Sequence, residues 1–113
     1  FLQLERLENN IQFTHEMDQE IIKIYTEVME FVEWNNLFIL DDIKSMSEEE
    51  LNKSISYERN IDDSRNKLLE SSRKRLVNGS TPKAELLFMD IIKHLEHVGD
   101  YSLNISQALE QID

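Results

Sequence analysis

The stretch Leu76-Val77-Asn78-Gly79-Ser80-Thr81-Pro82-Lys83-Ala84-Glu85 decides the fold. It holds one of the two glycines and the single proline of the 113-residue chain. It reads as the end of one helix followed at once by the start of another. Gly79 is the left-handed terminator that helix C-termini favour. Thr81 is a capping residue, Pro82 suits a first helical position, and Glu85 completes a loose start signature. Two helices joined this tightly run antiparallel.

Working upstream, Ser47-Glu48-Glu49-Glu50 offers Ser47 as N-cap and Glu50 at the capping-box position, so the preceding helix is expected over about 48–77. Downstream, the third helix is expected over about 82–111, with a core face of Ala84, Phe88, Ile91, Leu95, Val98, Ser102, Ile105 and Leu109. A first helix is expected over about 2–34, because Leu4, Leu7, Ile11, Thr14, Asp18, Ile21, Ile22, Tyr25, Met29 and Val32 follow 3-4 spacing. Leu37 to Ile43 reads as a packed connector. The expected architecture is all-α, a single domain over 1–113 folded as an antiparallel three-helix bundle. Helices of this size are about 45 Å long, which favours a homo-oligomer. Phe13, Ile24 and Phe31 fall off the first helix's stripe and are the candidates for that contact.

Composition excludes several functions. A net charge of −11 opposes nucleic acid and anionic lipid. Without cysteine there is no disulfide, iron–sulfur or thiolate zinc site. No apolar run approaches the roughly 20 residues of a membrane span. The cluster Arg73-Lys74-Arg75 sits where it complements a helix dipole. The chain begins Phe-Leu-Gln-Leu-Glu, already in helical pattern and without Met, and is expected to be a fragment of a longer protein. No nucleophile–base arrangement and no phosphate-cradling glycine loop emerge, so no enzyme is expected.

The chemistry-bearing pattern is Glu-x-x-x-Asp, which occurs at Glu58/Asp62 and Glu96/Asp100. Residues four apart stack on one helix face. Leu51, Ser54, Glu58, Ile61, Asp62, Arg65, Leu68, Leu69, Ser72 and Leu76 share one face of the second helix, so Glu58 and Asp62 fall inside an apolar stripe. Carboxylates there need a counter-ion. That partner is either Arg65 or Arg59 in an internal salt bridge, or a metal ion held between facing helices. Glu96 and Asp100 lie on the flank of the third helix's stripe, and alone would be solvated; two matched pairs on antiparallel neighbours favour a shared site. Asp18, in the middle of the first helix's stripe, is a further candidate ligand. His94 and His97 read as surface residues facing away from Glu96/Asp100. Gly99, inside a helix, reads as a point of close helix–helix approach.

The runs Tyr57-Glu58-Arg59-Asn60-Ile61-Asp62, Arg75-Leu76 and Leu87-Phe88-Met89-Asp90-Ile91-Ile92-Lys93-His94-Leu95-Glu96-His97-Val98-Gly99-Asp100, followed by Asn104-Ile105, resemble the PhoU domain. The resemblance is specific over about residues 48–110, with Leu-Glu-x-x-Gly-Asp and the following Asn-Ile as its core. It implies a PhoU-like three-helix bundle, comparable in length to a spectrin repeat, that regulates phosphate uptake and signalling. It also implies that Glu58, Asp62, Glu96 and Asp100 hold multinuclear iron or zinc. Similar domains often carry a histidine where this chain has Ser72, and Glu-Arg-Ile-Gly-Asp where it has Glu-His-Val-Gly-Asp. The chain most resembles the cytoplasmic C-terminal domains of bacterial sodium/phosphate cotransporter-related proteins. The implied partner is the protein's own transmembrane transporter domain, or another phosphate-uptake component, at the inner membrane. A soluble PhoU-type regulator and a metal-free helical oligomerisation module are the alternatives.

Overall fold

The computed structural model describes residues 11–112. Three helices follow one another: α1 (His15–Asn36), α2 (Glu48–Val77) and α3 (Pro82–Glu110). Contacts between α1 and α2 run from Glu20–Arg75 through Glu27–Ser64 to Trp34–Ser54, so these helices are antiparallel. The α2–α3 pair is also antiparallel, from Arg75–Glu85 to Arg65–Glu96. The bundle measures 54 × 26 × 17 Å. No helix among the described residues is long and apolar enough to cross a membrane.

The turn signals of α2 and α3 act as their sequence implies, with one exception. The Ser47 hydroxyl accepts from the Glu50 backbone N–H, and the Glu50 carboxylate accepts from the Ser47 N–H at 2.9 Å. Gly79 adopts φ +94°. Thr81, however, makes no side-chain cap bond, and the Glu85 carboxylate is taken up by Ser72 and Arg75 of α2 and by the Ser80 hydroxyl in the turn.

The expected first helix is shortened. Its residues 2–10 lie outside the described residues, and 11–14 are not helical. Thr14, read as a stripe residue, is the N-cap: its hydroxyl accepts from the Met17 N–H at 3.2 Å. Glu16 and Asp18 occupy the first turn, where acids complement the helix dipole.

The buried face of α1 also differs from the expected stripe. Met17, Ile24, Val28, Phe31 and Asn35 face the core, while Ile22 and Tyr25 are 55% and 52% exposed. Both sets recur at helical spacing, so the pattern alone allowed either. The facing helix settles it, with Phe31 stacking on Tyr57 of α2 at 5.5 Å between ring centroids. Phe13, Ile24 and Phe31 are therefore core residues, unavailable as a contact surface.

In α3 the face rotates slightly. Val98 and Ile105 are exposed, and Ile92, Glu96, Gly99 and Ser106 are buried in their place. Serines 54, 64, 72, 102 and 106 line the seam. Beyond α1, the connector folds over the far end of α3. Phe38 and Met46 pack on Leu109, and the Met46 N–H donates to the Leu109 carbonyl at 3.0 Å.

Candidate metal centre

Ile61 on α2 packs directly against Gly99 on α3. A Cβ on Gly99 would lie 3.1 Å from Ile61 Cδ1. Each residue directly precedes the aspartate of its own Glu-x-x-x-Asp pair. The contact therefore brings both pairs to the same level. Carboxylate oxygens of Glu58, Asp62 and Asp100 all lie within 4.8 Å of one another.

Glu96 joins the same face but is partly committed. It is only 8% exposed, and its Oε1 accepts from Arg65 Nη1 at 2.8 Å. Arg65, read as a partner for Glu58 and Asp62, pairs instead with this acid of the neighbouring helix. His97 is exposed, as the sequence implied, but it does not face away. Its Nδ1 lies 3.7 Å from Glu96 Oε2 and 3.7 Å from Asp100 Oδ2.

Crowded acids resist ionisation. Glu58 is pushed up from 4.5 to about 7, first by burial, then by its hydrogen bond with Asp62 and the charges of Asp62, Asp100 and Glu96. Burial raises Glu96 as well, and the Asp100 charge adds to this while Arg65 opposes it. Close carboxylates hold protons because full ionisation would leave mutually repelling negative charges without a counter-ion. Oxygen donors of this number and spacing fit a hard or borderline cation, which would relieve the repulsion. Glu58, Asp62 and Asp100 would hold it, with Glu96 and His97 at the edge.

Asp18 is not brought to this face. It lies twelve positions before Glu30, whose neighbour Phe31 stacks on Tyr57. At 1.5 Å per residue that places Asp18 roughly 18 Å away along the bundle.

A second charged cluster escaped the sequence reading. Arg75 does more than complement a helix dipole: it donates to Glu85 Oε2 at 2.9 Å and Glu20 Oε1 at 2.6 Å, and also pairs with Glu16 at 3.3 Å. Glu85 is fully buried and also accepts from Ser72 and Ser80. Burial would raise Glu85, but the hydrogen bonds from Arg75, Ser72 and Ser80 outweigh it and hold the carboxyl below its usual range. One signal was available: Arg75 and Glu85 lie equally far on either side of Ser80, as do Ile61 and Gly99. Antiparallel helices set such residues opposite each other.

The three helices form an all-α antiparallel bundle with carboxylate pairs on facing helices. The chain matches the PhoU domain family over residues 14–109 and belongs to it. Family membership gives it a regulatory role connected with phosphate transport. Neither the curated proteins nor the solved structures compared with the chain gave a match.

Proposed function

We propose that this domain is the regulatory cytoplasmic part of a sodium-dependent phosphate transporter, and that its acidic face binds iron or zinc. The observation that supports metal binding is the convergence of Glu58, Asp62 and Asp100 within 4.8 Å. When bound, the metal would supply positive charge to which phosphate could attach. The chain's own acids hold the ion, and Ile61 and Gly99 keep the two pairs in register. Family membership is equally compatible with a soluble PhoU-type regulator acting on another phosphate-uptake component. For either reading, exposed Ile22 and Tyr25 on α1 and Tyr101 on α3 offer apolar surface to a partner or a second copy.

Elemental analysis of protein purified without chelator or metal-affinity tag tests the metal reading. Near-stoichiometric iron or zinc is expected in the wild type and none in Glu58→Ala/Asp62→Ala/Glu96→Ala/Asp100→Ala. A wild type that is metal-free and takes up neither added ion would overturn it. The Arg65–Glu96 pair favours that second reading, a metal-free interaction module with internally paired acids. A parent gene encoding several long apolar segments would distinguish the transporter from the soluble regulator.

A further inference from the structure

We propose that the pocket between the end of α1 and the start of α2 seats an arginine side chain from a basic segment of a partner protein, a place that Lys53 fills in this structure. The proposal does not depend on a metal at the acidic face.

The pocket has an aromatic floor and an acidic rim. It is open, about 360 Å3 in volume, and lined by Glu30, Glu33, Trp34, Leu37, Lys53 and Tyr57. The floor is fixed before anything binds. Trp34 Nε1 donates to Ser54 Oγ at 2.8 Å, and Phe38 meets the indole edge-on at 5.2 Å. Tyr57 lies beside it at 6.2 Å between ring centroids and is backed by Phe31. Glu30, Glu33, Trp34 and Leu37 succeed one another at intervals of three and one along α1, which keeps both carboxylates near the ring. The last turn of α1, where a cation is favoured, has no basic residue of its own.

Lys53 marks what the seat accepts. Its ammonium stands 4.4 Å from the Trp34 ring centroid and 6.0 Å from that of Tyr57. Among the described residues it makes no hydrogen bond or ion pair, so a better-fitting cation can displace it. Arginine is that cation. Its guanidinium is planar and weakly hydrated, and it stacks on an aromatic face while its N–H groups remain free for carboxylates. Glu30 and Glu33, on a chain of net charge −11, complement a basic partner. Free arginine would bring its own carboxylate against this acidic rim, whereas an arginine within a chain does not. Leu37, 67% exposed, offers surface to the apolar neighbours of that arginine.

Trp34 is the only tryptophan, so its fluorescence reports on the seat. The probe is acetyl-Leu-Arg-Leu-amide, titrated at constant ionic strength beside acetyl-Leu-Lys-Leu-amide and free arginine. A saturable change is expected with the arginine peptide, and binding weaker by about threefold or more with the other two. Lys53→Ala empties the seat and should tighten the arginine peptide about fivefold. Lys67→Ala removes the same charge more than a screening length along α2 and should alter it less than about twofold. Glu30→Gln/Glu33→Gln should weaken it about fivefold or more. The proposal is overturned if neither wild type nor Lys53→Ala gives a saturable response, if the three probes bind equally, or if Lys53→Ala and Lys67→Ala give equal gains.

Discussion

Ile61 lies against Gly99 so closely that a single added methyl would stand 3.1 Å from its Cδ1. That contact sets the distance between α2 and α3 at the level of the acid pairs. Gly99→Ala is expected to be near neutral, because a helix-propensity gain of about 1 kcal/mol offsets the crowding. Gly99→Val adds volume without that compensation. It should destabilise by about 2 kcal/mol and lower metal uptake, read from urea midpoints and elemental content. Unchanged stability and uptake in Gly99→Val would contradict the role given to this contact.

Glu85 and Arg75 give a second prediction. Arg75→Ala leaves a fully buried carboxylate without its cation and should cost about 3 kcal/mol, while Arg75→Leu/Glu85→Leu should recover most of it. The Glu85 carboxyl is held below its ordinary value, so its stabilisation is present above that value. It is lost as pH falls through the lower folded value. Thermal melts from pH 6 to about 2 should show this acid limb in the wild type and a weaker one in Glu85→Gln.

Glu58 gives the opposite sign. Its carboxyl titrates at about 7 in the fold against an ordinary 4.5. Between these values the folded protein keeps a proton that the unfolded chain has released, so this contribution is full below 4.5 and disappears as pH rises to about 7. In the presence of chelator, Glu58→Gln should flatten that loss. At pH 8 it should melt roughly 4–6 °C higher, about 1 kcal/mol once solvent screening is allowed for. An unchanged pH profile would remove Glu58 from the repulsive cluster.

Arg65 holds Glu96 Oε1 at 2.8 Å, and on the proposed metal reading would compete with a cation for that carboxylate. Arg65→Gln removes a nearby positive charge and frees Glu96 Oε1. Divalent-ion affinity, measured by calorimetry, should rise about threefold to tenfold. Weaker binding would instead make Arg65 a support for the site.

The legible part of the fold was its punctuation. Ser47 with Glu50, and Gly79 followed by Pro82, fixed where α2 and α3 begin and end, because caps and turns act through neighbours in sequence. The convergence of Glu58, Asp62 and Asp100 followed from pairing the two motifs across that turn. Thr14 was less visible because its capping partner is Met17, where an acid or amide is usual. The face of α1 was illegible for a different reason. Ile22 and Tyr25 repeat with the same spacing as Met17, Ile24 and Phe31, and only the opposing Tyr57 distinguishes them. Glu85 was misread because an acid in a first turn normally caps or faces solvent, whereas its real partners lie on α2 and in the turn. His97 adjoins Glu96 in sequence, and helix geometry sets consecutive side chains well apart. Its approach depends on the imidazole leaning toward Asp100 one turn later.

The seam's five serines have a consequence for exchange with solvent. Small hydroxyl residues let backbones approach but bury little apolar area, so hydrophobic burial contributes less along α2 than its length implies. The Arg75–Glu85 knot ties all three helices beside the 78–81 turn, whereas at the acidic level α2 and α3 meet through the Ile61–Gly99 approach and the Arg65–Glu96 salt bridge, beside carboxylates that repel one another. Backbone amides near Ser72 and Glu85 should then be the slowest to take up deuterium. Those flanking Asp62 and Asp100 should open sooner, and slow down when a divalent cation is added.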